Sequence, residues 1–303
     1  MKETKKILIL GGSGYVGRHL FKRLGAQRAV ATYHNKFLEG GVRFDSLTME
    51  LSQIVTDPSA ISHAVILLGD IYPHSCAADP QKSNKLNIES IQRIIDDLTK
   101  WNIKPIFASS EYLFDGAKGY YREDDPPSPI LLYGKQKLAI ENYLQARAGD
   151  NHVVLRVSKV VGSELDDRTL FSNWLDAIGK IYTIKCAQEQ VFSPIYVHDV
   201  VEGILRVIEQ DCRGLFHLTG PQAFYRLDLL KMLLECVGKY SPVNIKIVPC
   251  SIQDFTLLEK HPVNVSMVPD KLVRVTGLKL TDMKTVCEKI VRSKYETAVE
   301  KYH

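Results

Sequence analysis

Apolar and polar residues alternate in blocks through the first half of this 303-residue chain. Short, nearly continuous apolar runs are separated by helix-length segments whose apolar residues recur every three or four positions, a pattern typical of βαβ units. The pattern therefore predicts an α/β fold with a doubly wound parallel sheet. The predicted strands are Lys6–Leu10, Ala29–Tyr33, Ala64–Leu68, Lys104–Ala108 and Val153–Val157. The predicted helices between them include Gly14–Leu24, Asn87–Trp101 and Tyr133–Arg147.

The regular alternation ends after Val157, and the remainder of the chain predicts a smaller lobe. We expect a mixed α/β lobe, built from C-terminal segments, across the carboxyl ends of the sheet strands, where ligands of open α/β sheets bind. Its predicted helices and strands are Leu165–Gly179, Tyr182–Lys185, Arg226–Gly238 and Asn244–Val248. The segments predicted to return to the large lobe are His198–Glu209 and Gly214–Gly220. The predicted domains are therefore 1–162 with 190–222, and 163–189 with 223–303.

A glycine-rich turn, Gly-Gly-Ser-Gly-Tyr-Val-Gly, directly follows the first predicted strand. Gly11, Gly14 and Gly17 have the spacing of a dinucleotide-binding turn. The first glycine makes the tight turn, the second lets a pyrophosphate approach the backbone, and the third lets the helix pack close to its strand. The helix N-terminus supplies N–H groups to the anion, and Tyr15 and Val16 in this turn are predicted cofactor contacts. The large lobe is therefore predicted to be Rossmann-like and to bind a dinucleotide.

The end of the second predicted strand indicates which dinucleotide. A fold of this kind that binds NAD usually places a carboxylate there for the ribose 2′-hydroxyl. Here the chain runs from Thr32 through His34 and Lys36 with no carboxylate before Glu39. Histidine and lysine suit a 2′-phosphate better than a hydroxyl. The pattern favours NADP as the cofactor, and NAD stays the alternative.

Three further predicted cofactor contacts follow strand-like runs. Asp45 and Ser46 come after Val42–Phe44 and would reach the adenine, although an aspartate there is as typical of the start of a turn. Gly69 directly follows the predicted strand Ala64–Leu68. Parallel strands end at one edge of a sheet, so these residues are expected near the glycine turn.

A candidate catalytic group lies at the start of the helix Tyr133–Arg147. The four-residue separation places Tyr133 and Lys137 on one helix face. A phenol with a pKa near 10 is a poor acid–base catalyst at neutral pH, and a neighbouring ammonium would bring its proton into a useful range. A hydroxyl is available from Ser109 or Ser110, just past the strand Lys104–Ala108. The order of these groups after the glycine turn indicates an oxidoreductase.

Charge and cysteine content argue against several other classes. Lys and Arg outnumber Asp and Glu by 39 to 35 without runs of like charge, so neither nucleic acid nor a membrane surface is an expected partner. The charged start has no signal-peptide core, and no apolar run reaches the length of a membrane span, which predicts a cytoplasmic protein. The six cysteines are widely spaced without a Cys-x-x-Cys pair, which argues against a metal site or a disulfide framework.

At these motifs the chain resembles the extended short-chain dehydrogenase/reductase superfamily and, within it, the dTDP-4-dehydrorhamnose reductase family. The resemblance covers nearly the whole length. Ser109–Gly116 is similar to the family's Ser-Thr-Asp-Tyr-Val-Phe-Asp-Gly, and Leu155–Ser158 is similar to its Leu-Arg-Thr-Ser. Gln190–Pro194 and the tail Asp270–Leu278 are similar to later segments of the family.

The resemblance implies hydride transfer from NAD(P)H to a keto carbon of a sugar attached to a nucleotide diphosphate. Tyr133 would give the developing alkoxide its proton, and Ser110 would hydrogen-bond the carbonyl oxygen. Lys137 would lower the pKa of the tyrosine and hold the nicotinamide ribose. The candidate contacts for the small-molecule substrate are Glu111, Phe171, Asn173, Gln190 and Ser193. By analogy with relatives of this fold, exposed helices could pair in a homodimer.

Two departures from the family pattern bear on the substrate. The family's aspartate before the tyrosine is Glu111 here, and an arginine–proline pair near the C-terminus is His261-Pro262. A neutral histidine cannot grip a phosphate bidentately as arginine does. Two alternative functions stay open. One is a sugar-nucleotide epimerase on the same fold, and the other is a non-catalytic, NADP-binding protein that resembles the regulatory subunit of methionine adenosyltransferase.

Overall fold

A seven-stranded sheet forms the centre of the fold in the computed structural model, which describes residues 5–178 and 180–300. The elements of the first half, in chain order, are β1 (Lys6–Leu10), α1 (Tyr15–Leu24), β2 (Ala29–Tyr33), β3 (Val42–Arg43), β4 (Ile61–Ile66), α2 (Pro73–Ala78), α3 (Pro80–Asn84), α4 (Ser90–Lys100), β5 (Lys104–Ser110), α5 (Leu132–Ala148) and β6 (Val153–Val157). Those of the second half are β7 (Val160–Val161), α6 (Leu170–Ala177), β8 (Thr183–Ala187), β9 (Val191–Phe192), β10 (Ile195–Tyr196), α7 (Val197–Glu209), β11 (Gly214–Leu218), β12 (Phe224–Tyr225), α8 (Arg226–Gly238), β13 (Lys246–Cys250), α9 (Asp270–Thr276) and α10 (Met283–Glu300).

All strands of the central sheet are parallel, in the order β3-β2-β1-β4-β5-β6-β11. The chain starts in the middle at β1 and winds outward to β3. It then returns to the other side of β1 and winds outward to β11. This reversal between β1 and β4 opens a crevice outside the carboxyl ends of the strands, which is the usual ligand site of such sheets. The predicted doubly wound, Rossmann-like fold is therefore confirmed.

The strand and helix bounds mostly follow the apolar pattern. β1, β2 and β6 have the predicted bounds, and β5 continues to Ser110, which pairs with Val157 of β6. β4 runs from Ile61 to Ile66, earlier than predicted. α4 begins at Ser90 rather than three residues earlier, because Lys85–Glu89 forms a turn of π-helix.

Helices cover both faces of the sheet, and an apolar cluster fills each interface. Ile9 of β1 packs in one cluster with Leu20 of α1, and Leu8 packs in the other with Ile95 of α4 and Ile140 of α5. Neighbouring residues of a strand point to opposite faces, so the continuous apolar run of β1 serves both clusters. All five of these side chains are inaccessible to solvent.

A further apolar cluster joins α6, α8 and α10 to the parallel pair β8 and β13. Phe171 and Leu230 are fully buried in it. Leu272 and Leu278, which the predicted boundaries assign to the smaller lobe, pack beside Phe216 in a cluster of the central sheet. The predicted division into domains stays a prediction.

The cysteines are free thiols, and five of the six are buried. Burial raises the pKa of Cys76 to about 11, so this thiol stays protonated at neutral pH. Within residues 5–178 and 180–300, no helix is long and apolar enough to cross a membrane.

Candidate active site

The glycine turn between β1 and α1 has the geometry of a dinucleotide cradle. Gly11 has a φ of +91°, and a Cβ there would lie 2.8 Å from Leu68 N. A Cβ at Gly17 would lie 2.3 Å from Gly11 O, so only glycine lets α1 approach the turn this closely. Gly14 is the N-cap of α1, and no side chain caps this helix. The first-turn N–H groups therefore fit a phosphate.

The predicted cofactor contacts near this turn differ in what their side chains do. The Thr32 hydroxyl accepts a hydrogen bond from Gly11 N–H at 3.0 Å and so fixes the turn to the end of β2. The Tyr15 hydroxyl donates to Asp167 Oδ2 at 3.1 Å, and Val16 packs against two apolar clusters, that of β1 with α1 and that of α6, α8 and α10. Tyr15 and Val16 therefore offer a cofactor their backbone rather than their side chains.

The residues after β2 and β3 surround a turn. Asp45 Oδ1 accepts from Leu47 N–H at 3.0 Å, and Oδ2 accepts from the Thr48 hydroxyl at 2.9 Å. These two hydrogen bonds show that Asp45 begins a turn. The hydrogen bond from Leu47 N–H is the main cause that lowers the pKa of Asp45. His34 Nε2 lies 3.6 Å from Asp45 Oδ2, and the side chains of His34 and Lys36 are exposed.

Arg43 is a residue of this edge that the sequence analysis missed. It is the last residue of β3, pairs with Tyr33 of β2, and is exposed. Its guanidinium also contributes to the lowered pKa of Asp45, as does His34. The sequence analysis identified the apolar run Val42–Phe44 but considered only the residues after it, and Arg43 lies within it. Ser46 is buried, with its carbonyl held by Arg93 at 2.7 Å.

The predicted catalytic residues come together at the carboxyl edge of the sheet. Ser110 ends β5, and its Oγ accepts from Tyr112 N–H at 3.2 Å. Tyr133 is the second residue of α5, and Lys137 follows one helical turn later. Lys137 Nζ donates to Ala108 O at 2.8 Å and lies 5.7 Å from the centroid of the Tyr133 ring. The helix spacing predicted from the sequence therefore forms one compact group.

Burial dominates the electrostatics of this group. Tyr133 and Lys137 are each only 6% exposed. Burial raises the pKa of Tyr133, and the hydrogen bond from Ser110 opposes this rise. Burial lowers the pKa of Lys137 to about 8. The Lys137 ammonium is bonded to a backbone carbonyl and lies near the Tyr133 ring, so its predicted effect on the pKa of the tyrosine stays a prediction.

A buried acid follows the predicted catalytic serine. Glu111 is 3% exposed, and its Oε2 has no hydrogen-bond partner among the described residues. Burial raises the pKa of Glu111 to about 7, partly opposed by the Lys159 ammonium and backbone N–H. The Tyr112 ring meets the rings of Tyr133 and His261 edge-on, at centroid distances of 6.3 and 5.9 Å. His261, the departure from the family pattern, therefore lies beside the catalytic group, where burial lowers its pKa.

Two of the other predicted substrate contacts have buried side chains, and a third is exposed. The structure does not bring Phe171 to the site, because the side chain is fully buried in the core of the smaller lobe. Nor does it bring Ser193, whose hydroxyl is buried and donates to Met267 O at 2.9 Å. Asn173 is exposed on α6 and donates to Arg168 O at 3.2 Å.

Gln190 is bonded to Arg226, a basic residue that the sequence analysis did not identify as part of the site. Its Oε1 accepts from Arg226 Nη1 at 3.2 Å, and the Arg226 guanidinium lies 5.6 Å from the centroid of the Trp174 ring. Arg226 also helps to lower the pKa of Lys159, after the larger effect of burial, so the two cations are neighbours. Lys159 follows a predicted strand and Arg226 begins a predicted helix. The sequence analysis did not pair them because they are far apart along the chain.

Comparison with known proteins agrees with this geometry. A dTDP-4-dehydrorhamnose reductase from Sinorhizobium fredii (strain NBRC 101917 / NGR234) is 24% identical over 222 residues, covering 71% of this chain and 74% of that protein. Methionine adenosyltransferase 2 subunit beta from Bos taurus is 25% identical over 253 residues, covering 75% of this chain and 70% of that protein. The crystal structure of dTDP-4-dehydrorhamnose reductase from Bacillus anthracis str. Ames in complex with NADP has 17% identity and a TM-score of 0.79, and the match covers 96% of this chain and 99% of that one. That likeness shows a shared fold.

The match that decides the family extends over almost the entire sequence. The family described as "RmlD substrate binding domain" is matched by residues 5–295, which include the glycine turn, the predicted catalytic group, Arg43, Lys159 and Arg226. The chain belongs to the RmlD substrate binding domain family.

Proposed function

We propose that this protein is an NADPH-dependent reductase of a keto group on a nucleotide-diphosphate sugar. The observation that carries the proposal is the grouping of Ser110, Tyr133 and Lys137 at the sheet edge that also holds the glycine turn. Relatives that bear the name dTDP-4-dehydrorhamnose reductase support this reaction class. Family membership over residues 5–295 supports it further.

The cofactor side is assigned to NADPH. The turn from Gly11 to Gly17 would hold the pyrophosphate, and the exposed side chains of His34, Lys36 and Arg43 would hold the 2′-phosphate. NADPH supplies the hydride that adds to the carbonyl carbon of the sugar. The relative from Bacillus anthracis, with NADP in its structure, supports this choice, and NAD is the alternative that a titration with both cofactors tests.

The side chains of the chain itself handle the proton and the charge. The raised pKa of Tyr133 keeps its phenol protonated at neutral pH, as a general acid for the forming alkoxide requires. The Ser110 hydroxyl donates a hydrogen bond to the same oxygen as negative charge develops on it. Lys137, with a pKa of about 8, is mostly charged at neutral pH and stabilises the phenolate that remains.

The substrate side is assigned to a diphosphate and a sugar. Lys159 and Arg226 supply positive charge for the diphosphate, and Glu111 supplies a hydrogen-bonding group for a sugar hydroxyl. A dehydratase of this superfamily usually carries a second acid directly after Glu111, and this chain has Tyr112 there. An epimerase would interconvert sugars without net use of NADPH. A homodimer and a cytoplasmic location stay predictions.

The test follows NADPH oxidation by the purified protein against a panel of 4-keto nucleotide sugars. We expect turnover, and we expect Tyr133→Phe to lower kcat about 1,000-fold while NADPH affinity changes less than about twofold. Tyr143→Phe on the same helix is the control, since its hydroxyl bonds Asp96 at 2.9 Å. A wild-type protein that binds NADPH without oxidising it contradicts the proposal and favours the regulatory alternative. Conversion of a nucleotide sugar without net NADPH oxidation favours the epimerase.

A further inference from the structure

A network of buried amides lies beside the catalytic helix, outside the groups that the proposed reaction uses. Gln136 directly precedes Lys137 on α5 and is 1% exposed. Its Nε2 donates to Ser83 Oγ at 2.7 Å and to Asn84 Oδ1 at 2.8 Å. Its Oε1 accepts from Asn87 Nδ2 at 2.8 Å. One glutamine therefore connects the catalytic helix to the end of α3 through two hydrogen bonds, and to the segment between α3 and α4 through a third.

Asn87 extends this network to the loop after β4. Its Oδ1 accepts from Asp70 N–H at 2.7 Å, and its Nδ2 donates to Asp70 O at 2.9 Å. A Cβ at Gly69 would lie 2.9 Å from Asn87 Oδ1, so the loop backbone rests directly on this side chain. The loop also borders the glycine turn, because a Cβ at Gly11 would lie 2.8 Å from Leu68 N. The proposed cofactor side is thus joined to α5 by two side chains.

Asn87 lies in a local irregularity of the helical segment, a turn of π-helix. Lys85–Glu89 forms a π-helical turn where α3 would otherwise continue directly into α4, and Asn87 is the middle residue of this turn. π-helical turns are rare and are frequently found at functional sites. Ser83, at the end of α3, also donates to Cys76 O at 3.3 Å, which ties α2 to the same network. The π-helical turn therefore carries Asn87, which bonds both Gln136 and Asp70.

We propose that Gln136 is a positioning residue for the reduction. Through Asn87 it fixes the separation between the Tyr133–Lys137 pair on α5 and the Gly69–Asp70 loop on the cofactor side. The inference rests on the proposed function, which assigns the proton donor and the cofactor to these two elements. A misplacement of about 1 Å between reacting groups can lower a rate about 100-fold. Gln136 touches neither reactant and acts only through the elements that it joins.

The test compares two glutamines on the same helix. Gln136→Met keeps the length of the side chain and removes all three hydrogen bonds, whereas Gln145→Met alters an exposed residue of α5. For Gln136→Met we expect an NADPH Kd about tenfold higher and a kcat about 10- to 100-fold lower, with the KM for the sugar nucleotide changed less than about threefold. Gln145→Met should match the wild type in all three quantities. Fluorescence titration gives the NADPH Kd without any need for turnover.

The split between the quantities separates positioning from mere stability. A folded Gln136→Met protein with wild-type NADPH Kd and wild-type kcat would overturn the proposal, even if its melting temperature is lower. If this variant does not fold, Gln136→Glu decides, because it keeps the acceptor for Asn87 and loses the donor to Ser83 and Asn84. Intermediate losses in Kd and kcat support the proposal, and wild-type values overturn it.

A failure of the proposed function is distinguishable from a failure of this inference. If the wild type binds NADPH but oxidises it with none of the sugars, the reductase proposal fails. The positioning role is then judged on NADPH Kd alone. A tenfold weaker Kd in the Gln136 variant supports it, and an unchanged Kd overturns it.

Discussion

The cofactor side and the substrate side of the proposed cleft are built from different material. The pyrophosphate part of the cofactor side is a run of consecutive residues, from Gly11 to Gly17, whose backbone groups are held by β1, β2 and α1. The substrate side consists of side chains from separate segments, including Glu111, Arg226 and His261. A backbone site is fixed by the sheet itself, whereas a side-chain site changes with single substitutions. The class of cofactor can therefore be predicted from one short segment of the sequence. The identity of the sugar depends on residues from several separate segments.

The largest expected effect tests whether backbone packing fixes the cofactor side. In Gly17→Ala the new Cβ would lie 2.3 Å from Gly11 O, so α1 must move away from the turn. We expect the NADPH Kd to rise about 100-fold, equivalent to about 2.7 kcal/mol. Fluorescence titration measures it. Gly238→Ala is the control, since the nearest atom to its Cβ would be 4.0 Å away. Wild-type NADPH affinity in Gly17→Ala would remove the distinction between the two sides.

An intermediate effect tests the buried charge where the two sides meet. The folded state lowers the pKa of Lys137 from 10.5 to about 8. Between these values the unfolded chain binds more protons, so stability rises with pH across this window, and below it the charge destabilises the folded state by about 3 kcal/mol. Loss of the hydrogen bond to Ala108 O offsets about 1 kcal/mol of this in Lys137→Met. Without cofactor, we expect the variant to be about 2 kcal/mol more stable at pH 7.

Urea unfolding at pH 7 and at pH 10 checks both the size and the sign of this effect. The gain in unfolding free energy should shrink as the pH rises through the window, because the wild-type lysine loses its proton there. A variant that is less stable than the wild type at pH 7 would show that the ammonium stabilises the fold. The same variant should lose turnover, so stability and activity are expected to change in opposite directions.

The smallest expected effects come from a crossed pair of substitutions, one on each side. Arg43→Ala removes an exposed cation near His34 and should raise the Kd for NADPH about tenfold while leaving the Kd for NADH unchanged. His261→Arg restores a fork that can bind phosphate and should lower the KM for the sugar nucleotide about fivefold. Steady-state kinetics and cofactor titration on both variants separate the two effects. A change in sugar KM by the first variant, or in NADPH Kd by the second, would contradict the separation.

The fold was largely predictable because its central sheet is buried on both faces. Strands such as β1 and β6 read as continuous apolar runs, and their bounds follow from the sequence alone. The start of α4 did not follow, because a π-helical turn precedes Ser90, and its Asn87 bonds Gln136, a residue far along the chain. Apolar periodicity carries no signal for such a contact.

The site was predictable where its residues are close in sequence. Tyr133 and Lys137 are one helical turn apart, and Ser110 ends the neighbouring strand. Similarity of motifs could not tell that Phe171 faces the core, nor that the Ser193 hydroxyl bonds a carbonyl 74 residues away. Both are matters of tertiary packing, which a motif does not encode.

The position of β11 has a consequence for the synthesis of the chain. β11 pairs with β6, yet α6, β8 and α7 are all synthesised between these two strands. Until β11 emerges from the ribosome, β6 has an unpaired edge, and such edges are templates for association with other chains. We therefore expect a nascent chain of this protein to expose the β6 edge until β11 pairs with it and becomes the new edge strand.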